Sequence, residues 1–165
     1  MVAELYKPLS PKKLNTSKIR QAIIKVLEAE GKAIASEFQK TTSSWQGERP
    51  KFEVLADISG RDASVLVGPT GTDKAVNKWV WLDKGTKLHK IRAKRKPNLV
   101  FQSGYSPKTK VGFFGSFPGG SFGPIVSKFE VQHPGTKARG WSVLSVQRRR
   151  KRFVQALIEA AKVST

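Results

Sequence analysis

Few side chains in this sequence have types and spacing that could support chemistry. The only two histidines, His89 and His133, lie 44 positions apart. Each sits in a short glycine turn, Lys84-Gly85-Thr86-Lys87-Leu88-His89 and His133-Pro134-Gly135-Thr136-Lys137. An imidazole can serve as general base, proton shuttle or metal ligand, but each role needs partners. A zinc site would need Asp83 or Glu130 as a third ligand, because few other carboxylates lie nearby in sequence. The local alternative is that each ring fixes its turn by hydrogen bonding to backbone. No serine occupies a Gly-x-Ser-x-Gly elbow. Asp57, Asp62, Asp73 and Asp83 fall at separate strand ends or turns, whereas a magnesium nuclease needs them clustered. Gly68-Pro69-Thr70-Gly71-Thr72-Asp73-Lys74-Ala75 has the outline of a phosphate loop without its Gly-Lys-Ser/Thr ending, and reads as a β-turn leading into a strand. The sequence has no Cys, which excludes disulfides, thiolate ligands and cysteine nucleophiles. The expectation is a non-enzymatic protein with no cofactor and no bound metal.

Charge is the stronger signal. The chain has 165 residues and a formal charge of +19. Residues 1–83 hold 13 Lys and Arg against 10 Asp and Glu, whereas residues 84–165 hold 18 against 2. Between the two turns, from Lys84 to Phe129, there is no Asp or Glu, while Lys87, Lys90, Arg92, Lys94, Arg95 and Lys96 follow in quick succession. Blocks of like charge are solvated faces or interaction surfaces. The anionic partners to weigh are nucleic acid, an acidic protein surface and an anionic membrane. No recognition helix, RNP-like aromatic motif or zinc module is visible, so any DNA contact would be to backbone without base readout. No apolar run approaches the roughly 18–20 residues of a membrane span, and the N-terminus lacks the order of a signal peptide. Synthesis in the cytoplasm, with no membrane partner, is expected.

The elements that must position these residues follow from periodicity. Residues 1–14, with Pro8 and Pro11, read as an extended arm, and 15–165 as a single domain. Ile19, Ala22, Ile23, Val26, Leu27, Ala33, Ile34 and Phe38 recur as on an amphipathic helix from near Thr16, capped by Asn15, Thr16 or Ser17 and ending between Thr41 and Gly47. Gly31, inside it, costs about 1 kcal/mol against Ala. From Phe52 the period becomes two: Phe52, Val54, Ala56 and Ile58 alternate with polar neighbours, and Gly60-Arg61-Asp62 turns the chain into Ser64 to Val67, a hairpin. Val76 to Leu82, with Trp79 and Trp81, predicts a third strand, Leu99 to Phe101 a fourth and Ile125 to Val131 a fifth. The loop 103–123 carries six Gly and five aromatics, Tyr105, Phe113, Phe114, Phe117 and Phe122. Such composition predicts an interface loop that orders on assembly. A last helix starts near Ser142 and packs through Val146, Phe153 and Leu157, with Arg148, Arg149, Arg150, Lys151 and Arg152 crowded together; an anion or acidic neighbour would relieve that repulsion. The fold class is α+β, an antiparallel sheet of about five strands packed against an N-terminal and a C-terminal helix.

The order Leu82-Asp83-Lys84-Gly85-Thr86-Lys87-Leu88-His89-Lys90-Ile91, then Leu99-Val100-Phe101, then Val131-Gln132-His133-Pro134-Gly135-Thr136 leading to Trp141, resembles the tail-completion, or neck, proteins of long-tailed bacteriophages. The resemblance spans roughly residues 76–160. Three positions depart from it: Asp83-Lys84 where the family often has an acidic residue directly before Gly-Thr, Ala93 where Pro is common, and Gly140-Trp141 where Pro-Phe is more usual. It implies a structural virion protein that forms a hexameric ring at the head–tail junction, with copies of itself, the tail tube protein and the connector or head-completion protein as partners. It further implies assembly contacts at Gly85, Thr86, His89, Tyr105, Phe113, Phe114, Phe117, His133, Gly135, Thr136 and Trp141. Lys90, Arg92, Lys94, Arg95, Lys96, Arg148, Arg149 and Arg150 are the candidates for non-specific contact with DNA in the lumen. The alternative expectation is a free-standing basic nucleic-acid-binding protein.

Overall fold

A computed structural model describes residues 16–59 and 62–162; the predicted arm 1–14, the cap candidate Asn15 and the turn residues Gly60 and Arg61 lie outside them. The fold is α+β. Helix α1, Thr16–Thr41, lies against the hairpin of β1, Lys51–Ser59, and β2, Asp62–Thr70. The alternation read from the sequence holds: along β1 the side chains of Phe52, Val54, Ala56 and Ile58 are half-buried and those between them are exposed.

Gly31 is the reason α1 can lie this close. A Cβ there would overlap Val54 Cγ1 and come within 2.8 Å of Val65 Cγ2. The glycine lowers helix propensity but lets the helix backbone settle onto the β-branched side chains beneath it.

The predicted third strand is a helix. Residues Asp73–Lys84 form α2, capped by Thr72, whose Oγ1 accepts from the Ala75 N–H at 3.4 Å and donates to Glu48 at 2.7 Å. Its Trp and Val residues favour strands intrinsically, but Ala75, Trp79 and Asp83 recur every four residues and are buried, while Trp81 is exposed. Asp73 in the first turn suits the positive end of the helix dipole. The 68–75 segment is thus the end of β2 followed by a helix cap, not a β-turn before a strand.

The expected single sheet is three antiparallel two-stranded ladders. β3, His89–Arg92, pairs with β6, Glu130–His133; β4, Leu99–Ser106, pairs with β5, Gly120–Lys128. The strand expected over 125–131 is therefore split between β5 and β6, and much of the expected 103–123 loop is strand. Residues 86–136 form one long hairpin, interrupted on one side by residues 93–98. The last helix, α3, spans Trp141–Lys162 and packs against α1; Val146, expected to pack inward, is exposed instead.

The core is aromatic. Phe38, Trp45, Trp79 and Trp141 are buried together, with Ile34, Phe52, Val67, Val80, Leu82 and Phe114 packed against them. Phe38 and Trp79 ring centroids lie 5.0 Å apart, and Trp79 and Trp141 5.9 Å apart. Trp79 Nε1–H donates to Thr41 Oγ1 at 3.0 Å and Trp141 Nε1–H to the Phe113 carbonyl at 2.8 Å. Both indoles thereby keep a polar partner while buried.

Gly31→Ala should lower stability by roughly 1–3 kcal/mol, because overpacking against Val54 and Val65 outweighs the gain in helix propensity. Denaturant unfolding of the variant checks this, and the companion change Val54→Ala should restore part of the loss.

Candidate assembly site

The two glycine–threonine turns meet. Thr86 N–H donates to the Thr136 carbonyl at 2.9 Å, and Thr136 N–H donates back to the Thr86 carbonyl at 3.2 Å and to Thr86 Oγ1 at 2.9 Å. Gly85 and Gly135 have φ of 78° and 89°, a region open to glycine and strained for other residues. A Cβ on Gly85 would come within 2.7 Å of the Thr136 carbonyl oxygen, and one on Gly135 would overlap that of Thr86. Each glycine marks where the other turn's backbone passes.

His89 and His133 continue this clasp as register partners, their ring centroids 4.9 Å apart. His89 Nδ1 lies 2.8 Å from the Lys87 carbonyl, and His133 Nδ1 accepts from the Gly135 N–H at 3.0 Å. Since a carbonyl only accepts and an N–H only donates, His89 Nδ1 carries a hydrogen in this contact and His133 Nδ1 carries none. Each ring ties down its own turn. Among the described residues, no group of three His, Asp or Glu is placed to hold a metal ion. Beside the clasp, Trp81, Thr86, Lys87, Leu88 and His89 line an open depression of about 450 Å³.

The clasp also seats α3. Asp83, buried at the end of α2, accepts from the Ser142 N–H at 3.0 Å and the Ser142 hydroxyl at 2.6 Å, filling the α3 N-terminus with a carboxylate. The Leu82 and Asp83 carbonyls accept from Arg139 and Gly140 N–H at 2.9 and 3.0 Å. The sequence pointed to Asp83 as a metal-ligand candidate and as part of the first Gly-Thr motif, not as a helix cap. The spacing of 59 residues to Ser142 hides the cap, because nothing local couples the two.

The far end of the long hairpin, residues 107–119, returns to the body. Arg139 Nε–H donates to Thr109 Oγ1 at 3.0 Å, Gly112 N–H donates to the Arg139 carbonyl at 3.1 Å, and Phe114 joins the core. Phe113 packs against Phe117 in a tilted contact with centroids 5.1 Å apart, and Lys110 lies over the Phe117 ring at 4.3 Å. Of the aromatics expected at interfaces, Trp141 and Phe114 pack within the chain, Phe113 is half-exposed and Tyr105 is exposed.

The cations divide in the same way. Lys90 lies 3.0 Å from Glu130, which Arg92 also engages; these hydrogen bonds, Arg92's foremost, hold the Glu130 carboxyl below its ordinary value. Arg149 bridges α3 to α1, at 2.8 Å from Glu37 and 3.1 Å from Glu30. Ser145 Oγ–H also donates to Glu37, at 2.7 Å. Burial raises the Glu37 carboxyl, yet the Arg149 and Ser145 hydrogen bonds outweigh it and leave it lowered; Arg149 is raised, chiefly by its bond to Glu37. The acidic neighbour expected to relieve the arginine cluster is thus α1. Arg148 stacks on Phe114 at 5.4 Å, while Arg150 and Lys94, Arg95 and Lys96 are exposed.

No known protein family, curated protein or solved structure matches the chain.

Gly135→Ala should destabilise the protein by roughly 2 kcal/mol or more, combining left-handed strain with the clash against Thr86; its thermal midpoint checks this. Glu37 yields a pH dependence of known sign. Because its folded value lies below 4.5, the stability it contributes is present above that pH and lost as pH falls through the folded value. Arg149→Met should remove that contribution and lower stability at pH 7 by roughly 1–3 kcal/mol, less than for a fully buried pair. Urea titrations of both proteins from pH 3 to 7 check both effects.

Proposed function

We propose that this chain is a non-enzymatic structural protein of a long-tailed phage virion. It forms a ring at the head–tail junction, where it joins the tail tube to the connector and leaves a passage for DNA. The observation that carries this reading is how apolar surface is allotted among the described residues. Six apolar residues are buried, whereas sixteen large ones, from Leu55 to Ile158, are exposed. Several of them share a face, as Val143, Val146, Val154 and Ile158 do on α3, and exposed apolar side chains gathered on one face mark surfaces covered by partners. Neighbouring subunits of a ring would cover them.

Two further features support the reading. The Gly-Thr turns that carry the family resemblance pair with each other across 50 residues, so the motif order in the sequence has a physical basis in one clasp. Glu130, Glu30 and Glu37 neutralise part of the basic charge internally, leaving Lys94, Arg95, Lys96 and Arg150 to face outward as non-specific contacts for DNA.

That outward charge also favours the second reading, a free-standing nucleic-acid-binding protein. The two differ in what the isolated chain does. The ring reading expects concentration-dependent oligomers, hexameric in the family it resembles, with weak DNA binding that Lys94→Gln and Arg95→Gln reduce without altering oligomer size. Sedimentation velocity with and without duplex DNA checks this. A monomer binding DNA tightly, with an affinity falling about as the sixth power of salt or more steeply, would favour the second reading.

A further inference from the structure

The long hairpin is anchored at both ends, by the clasp and by the 107–119 tip, and between them the β4–β5 ribbon packs chiefly on itself. A lone two-stranded ribbon is marginal in water. Val100 is 66%, Phe122 57% and Ile125 73% exposed. These three share one face, since Gln102 lies opposite Ile125, Val100 lies two residues from Gln102, and the Phe122 ring covers Gly104. In a chain of +19 the ribbon is almost free of charge: Lys128 is the one ionisable group among its lysines, arginines and acids.

A second unpartnered face lies on α3. Val143, Val146, Val154 and Ile158 are 45–61% exposed, and with Arg150 they recur at three- and four-residue steps along one side of the helix. An open depression of about 350 Å³, lined by Ser142, Val143, Val146 and Gln147, sits at the start of this stripe.

Charge decides what can cover each face. Two α3 stripes facing each other would oppose Arg150 to Arg150, with Lys151 and Arg152 close by. The ribbon offers α3 an apolar surface without cations at its centre, and the Phe122 ring as a seat for the Arg150 guanidinium. We propose that the Val100–Phe122–Ile125 face of one copy seats on the α3 stripe of the next. The contact joins unlike surfaces, so it propagates head to tail and closes into a ring when the rotation permits. This rests on the ring reading above and adds which surfaces form its seam.

The test uses full-length chains carrying lysine at exposed positions: Phe122→Lys with Ile125→Lys for the ribbon, Val146→Lys with Val154→Lys for the helix, and Ser64→Lys on β2 as a charge control at an exposed polar position. Circular dichroism and thermal midpoints within a few degrees of wild type establish that each variant folds. Each seam variant alone should be monomeric by native mass spectrometry at concentrations where wild type and the control assemble. Mixed one to one, the two seam variants retain one intact half-seam between them and should give a heterodimer that grows no further. Rings formed by both seam variants would overturn the seam while leaving the ring reading intact. Self-assembly of the helix variant alone would point to a ribbon-to-ribbon contact and overturn it too. A wild type monomeric at every concentration would leave both faces to a different protein and overturn both readings.

Discussion

The reciprocal backbone pair between Thr86 and Thr136 is the constraint on which the rest of the molecule depends. It joins two turns 50 residues apart and so closes the longest excursion of the chain at its base. Closing so long a loop costs several kcal/mol of chain entropy, and two hydrogen bonds at about 1 kcal/mol each do not offset it. The remainder comes from what the clasp brings together: the β3–β6 ladder, the Asp83 cap on α3 and the packing of Trp79 against Trp141. The two glycines are required because each turn occupies the space a side chain on the other would fill.

From that clasp the chain divides its side chains between two tasks. Aromatic residues near the helices build a small core around Phe38, Trp79 and Trp141. Tyr105 and Phe122, along the ribbon, stay outside. Electrostatics follows the same division. Arg149, Lys90 and Arg92 are matched by Glu37, Glu30 and Glu130 and serve the subunit. The cations of residues 94–96 and Arg150 are exposed.

Much of the fold was legible because its signals are local. The α1 stripe and the alternation along β1 follow directly from sequence period, as does the start of α3 near Ser142. The misread element was α2, where Trp79 and Trp81 favoured a strand by intrinsic preference. Helix won there because the four-residue spacing of Ala75, Trp79 and Asp83 has a core to face and Thr72 supplies a cap. The paired turns drew notice as motifs, but nothing in either turn says that its partner is the other. The Asp83–Ser142 cap and the Arg149 bridge were invisible for the same reason, their partners lying 59 and 112 or more residues apart. Gly31 read as a flaw in a helix until Val54 and Val65 were placed beneath it.

The central claim is that the Gly-Thr turns are an internal clasp and that the ribbon is the surface a neighbour covers. Amide hydrogen exchange, compared between dissociated and assembled protein, tests it most directly. The Thr86 and Thr136 amides should be equally protected in both states, while those along β4 and β5 should slow only on assembly. Turns that exchange freely in the dissociated chain and gain protection on assembly, with a ribbon that does not change, would contradict it.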